Sequence, residues 1–158
     1  MIILGIDPGT AITGYGVINF SRGKMKVLGL GQINTSKDTK HEYRLKEIYN
    51  AINKLLKEYK PDALAVEKIF FFKNAKTIIP VSQSRGVVLL AGAKKNIPLY
   101  EFTPLQVKMQ ITGYGRADKK DVQKKVKEIL DLEEIPKPDD IADALGIALT
   151  CANFLEIA

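Results

Sequence analysis

The 158 residues fall within the roughly 100–200 expected of one domain, and 46% hydrophobic with 27% charged residues is the composition of a folded chain. No apolar run reaches the ~18 residues of a membrane span; Met1-Ile2-Ile3-Leu4-Gly5-Ile6 meets Asp7 with no basic leader, so no signal peptide is expected, and the lone Cys151 excludes a disulfide scaffold or zinc finger and fits a reducing cytoplasm. The net charge of +6 is unevenly placed: residues 68–127 carry 13 Lys and Arg against 3 Asp and Glu, the remainder 11 against 15. Such a basic stretch between acidic flanks points to a polyanion-binding surface beside carboxylates, although lysines that merely solvate helix faces give the same counts.

Residues 2–6 are continuously apolar, which predicts a strand buried on both faces. Asp7-Pro8-Gly9-Thr10 supplies turn chemistry. Residues 13–20 read as a second strand closed by Ser21-Arg22-Gly23, and 25–33 as a third, the three forming an antiparallel meander. From Leu45 to Tyr59 apolar residues recur every three or four positions, predicting an amphipathic helix that stops before Lys60-Pro61. Ala63-Leu64-Ala65-Val66 is a short buried strand ending at Glu67. After a loop near 70–75, residues 77–95 read as a helix, 97–100 as a fifth strand, and Thr103-Pro104 as a helix start. Asp118 is placed to cap a helix whose buried stripe is Val122, Val126, Ile129 and Leu130. Pro136 and Pro138 introduce a last helix over 139–154. The order predicts one α/β domain over 1–158, a mixed five-stranded sheet flanked by helices.

Asp7 and Glu67 each close an apolar strand. If those strands are neighbours, both carboxylates emerge at one sheet edge, where α/β active sites sit; each is equally readable as the solvated end of a strand. Asp140 and Asp143 are one helical turn apart. Asp139 and Asp140 complement a helix N-terminus, but Asp143 lies in otherwise apolar Ile141–Leu149, where an unpartnered carboxylate costs several kcal/mol. Carboxylates gathered in one place repel, and a hard divalent ion relieves that repulsion; without a His/Cys cluster, Mg²⁺ or Mn²⁺ is indicated over zinc. Two such ions about 4 Å apart serve phosphodiester cleavage, so the pattern predicts a metal-dependent nuclease.

Beyond Glu67, Lys68-Ile69-Phe70-Phe71-Phe72-Lys73 interleaves aromatics with lysines, a pattern suited to stacking on bases. Lys119, Lys120, Lys124 and Lys127 lie away from the Val122/Val126 stripe and suit phosphate contacts. The 77–95 helix is apolar nearly all round, with Ile78, Ile79, Val81, Val87, Val88, Leu89, Leu90 and Ala91. A small domain offers one core, so its second face is expected against another subunit, in a two-fold dimer, although a central core helix of the monomer gives the same pattern. His41 and Cys151 carry no expected chemistry.

Taken together, Gly5-Ile6-Asp7-Pro8-Gly9-Thr10, Gly14-Tyr15-Gly16, Val66-Glu67-Lys68-Ile69-Phe70, Lys73-Asn74-Ala75, Ser84-Arg85-Gly86 and Asp140-Ile141-Ala142-Asp143-Ala144-Leu145 resemble the bacterial RuvC Holliday-junction resolvases over essentially the whole chain. The resemblance implies a ribonuclease-H-like fold. It also implies a homodimer cutting four-way DNA by paired nicks, with Asp7, Glu67, Asp140 and Asp143 holding Mg²⁺ or Mn²⁺, two ions per site. It implies that Lys108 and Lys119 are essential lysines, Lys119 catalytic, and that Phe70 stacks in the junction. Lys73, Arg85 and Lys120 are expected among the DNA contacts, and RuvA–RuvB as partners. Asp-x-Gly near the N-terminus also suits YqgF-like nucleases acting on RNA. Gly5–Thr10 further resembles the phosphate loop of actin-like and sugar-kinase ATPases, which need two domains around a nucleotide.

Overall fold

The computed structural model describes residues 1–68 and 75–157. Its strands are β1 (Ile2–Asp7), β2 (Ile12–Ser21), β3 (Lys24–Asn34), β4 (Ala63–Glu67) and β5 (Leu99–Phe102). Its helices are α1 (His41–Tyr59), α2 (Ala75–Ala93), α3 (Pro104–Thr112), α4 (Lys119–Ile129) and α5 (Asp139–Ile157). The sheet order is β3-β2-β1-β4-β5. The first three strands are the expected antiparallel meander, and β4 and β5 join β1 in parallel.

Side chains alternate across a strand, and this parity decides which residues reach which layer. Ile3 of β1, Ile18 of β2 and Ala63 and Ala65 of β4 face α3, α4 and α5 in one core. Leu4, Ile6, Val17, Leu64 and Val66 face α1 and α2 in the other. Asp7 shares the parity of Ile3, and Glu67 that of Ala65, so both fall on the α5 side. Because Ile6 pairs with Val66, Asp7 and Glu67 stand one step further along the same parallel ladder.

Several element bounds shift, among them α2 at Ala75–Ala93 rather than 77–95. The fifth strand begins at Leu99, two residues late, because the Ile97 amide is taken by the Gly92 carbonyl at the exit of α2 and Pro98 has no N–H to give. Pro98 contributes only its carbonyl, which accepts from the Leu64 amide at 2.9 Å. Ile129 is 39% exposed rather than part of the α4 stripe; Val122, Val126 and Leu130, four apart, take the inward face. Helix α1 starts a turn early at His41, with no side-chain cap from Lys40. Thr103 and Asp118 cap α3 and α4 as expected, Thr103 within a capping box with Gln106.

Candidate active site

Helix α5 lies almost on the backbone of β1 and β2. A methyl group added at Gly5 would stand 2.2 Å from the Ala144 carbonyl oxygen, and one at Gly14 would stand 2.0 Å from that of Asp140. Only glycine permits this approach, and Ala144 and Ala148 are its small counterparts on the helix. Gly14 pairs with Asp7 across the β1–β2 ladder. The first turn of α5 is thereby pressed onto the strand position beside Asp7, which carries Asp140 and Asp143 to the same sheet end.

The consequence is electrostatic. Asp7 is only half-buried by surface, yet desolvation is the main cause holding its carboxyl well above the ordinary range, followed by the charges of Asp143, Glu67 and Asp140. Lys119 alone among the named charges pulls it down. Four acidic side chains from β1, β4 and α5 therefore share one field.

Lys119, on the first turn of α4, places its Nζ 2.8 Å from Asp143 and 3.4 Å from Asp139. Burial lowers the Lys119 ammonium pKa, but the hydrogen bond and charge of Asp143, aided by Asp139, outweigh burial and leave it raised. Asp143 is also raised: its own burial exceeds the help it gets from Lys119. Asp139, assigned from sequence to the helix N-terminus, does sit in the first turn of α5 and in addition contacts this lysine. Asp7, Glu67, Asp143, Lys108 and Lys119 line one cavity of about 430 Å³, with Pro104, Val107, Val122 and Ile147 as apolar walls.

The family model described as Crossover junction endodeoxyribonuclease RuvC matches residues 3–151. The chain belongs to the RuvC family. A RuvC of Fusobacterium nucleatum is 54% identical over 155 residues, covering 98% of this chain and 82% of that protein. One from Thermosipho melanesiensis is 55% identical over 148 residues, 94% of each. Thermus thermophilus RuvC, solved in complex with a Holliday junction substrate, superposes with a TM-score of 0.93 at 35% identity, covering 99% of this chain and 96% of that one. The yeast mitochondrial resolvase Ydc2, at 16% identity and a TM-score of 0.70, shares the fold. RuvC-family nucleases are metal-dependent.

The RuvC-type acidic set fits a hard divalent ion by chemistry: its donors are all oxygen, and desolvation followed by their mutual repulsion drives Asp7 toward protonation. Among the described residues no three carboxylates are drawn together closely enough to close on an ion as they stand. Lys119 is the positive charge that acts on Asp7.

Other expected site residues divide. Lys108 faces the cavity, and Lys120 is exposed on α4. Phe70 and Lys73 lie outside the described residues. Arg85, expected on the DNA surface, is engaged within the protein: its Nε donates to the Glu67 carbonyl oxygen at 3.0 Å and its guanidinium pairs with Glu101 of β5. Sequence reasoning missed this bracket on the end of β4, since nothing local links positions 67, 85 and 101. It also quoted Gly14 and Gly16 without seeing their use. The available signal was parity, glycines at alternate positions on the strand face that carries Asp7.

Proposed function

We propose that the protein is a structure-selective endonuclease that resolves Holliday junctions in recombination and repair. Its cleavage hydrolyses phosphodiester bonds by paired symmetric nicks, leaving 5′-phosphate and 3′-hydroxyl ends. The observation carrying this reading is the shared field of Asp7, Glu67, Asp140 and Asp143, beside a lysine-lined cavity, in a RuvC-family chain.

Mg²⁺, with Mn²⁺ as substitute and two ions per site, would be held by these four carboxylates, and when bound supplies an activated water and charge compensation at the leaving oxygen. The protein's own part is positional. The Gly5 and Gly14 contacts fix α5 against β1, so that Asp140 and Asp143 face Asp7. Arg85 holds the main chain of Glu67. Lys119 neutralises Asp143 and, with Lys108, draws a phosphate into the cavity; Lys120 adds sequence-independent backbone attraction. On the family resemblance, Phe70 stacks on unpaired bases, Lys73 adds a phosphate contact, and the enzyme works with RuvA–RuvB in the cytoplasm.

The nuclease acts as a homodimer. Helix α2 packs Val88 and Ala91 into the core, but its other side leaves Ile79 65% and Leu90 54% exposed. Between them Gly86 has nothing within 4 Å of where a Cβ would stand, a flat strip that a second α2 can approach. Two sites related by one axis match two equivalent junction strands.

The deciding experiment incubates synthetic four-way DNA with wild type and Asp7→Asn, with Mg²⁺ or EDTA. Wild type is expected to give paired, ligatable nicks with Mg²⁺ only, and Asp7→Asn to bind without cutting. Normal cutting by Asp7→Asn overturns the metal-site assignment, and preferred cleavage of structured RNA transfers the protein to the YqgF-like alternative.

A further inference from the structure

The turn after β1, with its likeness to an ATPase phosphate loop, has no task in the mechanism above. In the structure Gly9 and Thr10 line a second cavity of about 430 Å³, together with Arg44 of α1, Lys76 of α2 and Asp140 of α5. Asp140 acts electrostatically on Asp7, so this cavity and the carboxylate site meet at one acidic pair.

The walls of the cavity are cross-braced by buried hydroxyls. Thr35 donates to the Thr10 carbonyl oxygen at 2.6 Å and accepts from Arg44 Nε at 2.8 Å. The Thr10 hydroxyl lies 3.1 Å from that of Ser84, a residue with no exposed surface, which in turn donates to the Pro80 carbonyl oxygen at 3.1 Å. One network thus ties the turn to the end of β3, to α1 and to α2. Among the described residues Arg44 is anchored through Nε alone, which leaves its two terminal nitrogens as donors. Among the described residues no carboxylate forms a salt bridge with Arg44 or with Lys76. A pre-set guanidinium and an ammonium facing one cavity form a phosphate-binding pair.

We propose that this cavity is a phosphate subsite: Arg44 and Lys76 hold a backbone phosphate of the cleaved strand next to the scissile one, which stands in the first cavity. Gripping two successive phosphates fixes the strand's direction across the carboxylates, which a single contact does not. The inference rests on the junction-cleaving activity proposed above.

The test measures junction affinity against salt concentration for wild type, Arg44→Gln, Lys76→Gln and the double variant. Each single change is expected to weaken binding roughly tenfold and to lower the slope of log affinity against log salt by about 0.9, whatever the junction's sequence. A junction with one uncharged methylphosphonate beside the scissile position should bind wild type as weakly as the double variant binds unmodified DNA. The double variant should ignore that modification. Lys76 is exposed at the start of α2, so Lys76→Gln keeps the test open if Arg44→Gln fails to fold. Unchanged slopes, or equal methylphosphonate sensitivity in wild type and double variant, overturn the subsite. Wild type that neither binds nor cuts four-way DNA fails the broader function, whereas normal wild-type cutting with flat variant responses fails the subsite alone.

Discussion

Gly14→Ala tests whether the seat of α5 sets the geometry of the carboxylates. The added methyl would stand 2.0 Å from the Asp140 carbonyl oxygen, 2.3 Å from its carbon and 2.9 Å from its Cβ. The first two are backbone atoms, which no rotamer change can move. Opening the closest contact to the roughly 3.3 Å of a relaxed C···O approach requires the start of α5 to retreat by about 1.3 Å. Overpacking of this kind costs about 1–3 kcal/mol, less the ~0.4–1 kcal/mol gained by stiffening the unfolded chain. Against a typical stability of about 5–15 kcal/mol the fold survives, with a melting temperature lower by about 2–4 °C per kcal/mol lost.

The effect on catalysis is the larger one. Asp140 moves directly and Asp143, one turn on, moves with it, while Asp7 and Glu67 stay on the sheet. A misplacement near 1 Å costs on the order of 10²-fold in rate. The basic residues proposed to hold the junction lie outside α5, so junction affinity should hold near the wild-type value. Gly29→Ala is the matched control. Its methyl would meet the Tyr59 hydroxyl at 2.3 Å, but that is the far end of a side chain able to swing aside. It should cut at close to the wild-type rate. The assay is single-turnover cleavage of a four-way junction, with gel-shift affinity in EDTA and thermal melting on the same samples. Wild-type cleavage by Gly14→Ala, or a loss of binding equal to the loss of cutting, refutes the reasoning.

Two further outcomes follow from the same geometry. The Asp7 carboxyl is raised in the folded state, so folded protein keeps this proton to higher pH than the unfolded chain; the associated stability is present below the unfolded value and lost as pH climbs through the folded one. Without divalent ion, Asp7→Asn should therefore melt higher than wild type at neutral pH, by about 2–4 °C per kcal/mol relieved, with the advantage vanishing as pH falls toward the ordinary carboxylate range; Mg²⁺ should stabilise wild type and leave the variant nearly unmoved. An Asp7→Asn protein less stable than wild type at pH 7 in EDTA would show that the carboxylate is already compensated. Replacing Ile79 and Leu90 together by glutamate puts charge where the proposed dimer gains roughly 1 kcal/mol per side chain on burial; dimer affinity measured by analytical ultracentrifugation should weaken on the order of 10²-fold or more, and paired nicks should become unpaired. An unchanged sedimentation profile removes α2 from the interface.

Much of this was legible because the relevant patterns are local. The buried run 2–6 ends at Asp7, 63–66 ends at Glu67, and a parallel crossover between them needs the intervening helix that the periodicity of 45–59 supplies. Asp143 stands out as the one charge in the apolar stretch Ile141–Leu149. What escaped prediction depends on pairing between distant segments. That Gly14 lies beside Asp7, and Gly5 beside Gly16, follows from register; a one-residue slip would turn those glycines to the other face and put side chains under α5. Arg85 reads as one more cation until the fold sets it between the Glu67 carbonyl and Glu101. Ile97 looks like strand until its amide is claimed by the exit of α2.

The glycines and the acids are one device. A carboxylate cluster needs low dielectric around it to bind an ion selectively, yet each approach of one carboxylate to another costs energy that side-chain packing must supply. Here it is supplied by the dry contact of α5 on β1 and β2, where Ala144, Leu145 and Ala148 have no exposed surface. That contact can be tight only because Gly5, Gly14 and Gly16 remove the side chains that would hold the helix off. Substituting an acid then removes a charge and leaves the fold intact, whereas substituting a glycine leaves every charge in place and moves them apart. The two classes of variant should therefore fail differently: the first should lose the stabilisation conferred by Mg²⁺ outright, and the second should retain a weakened version of it.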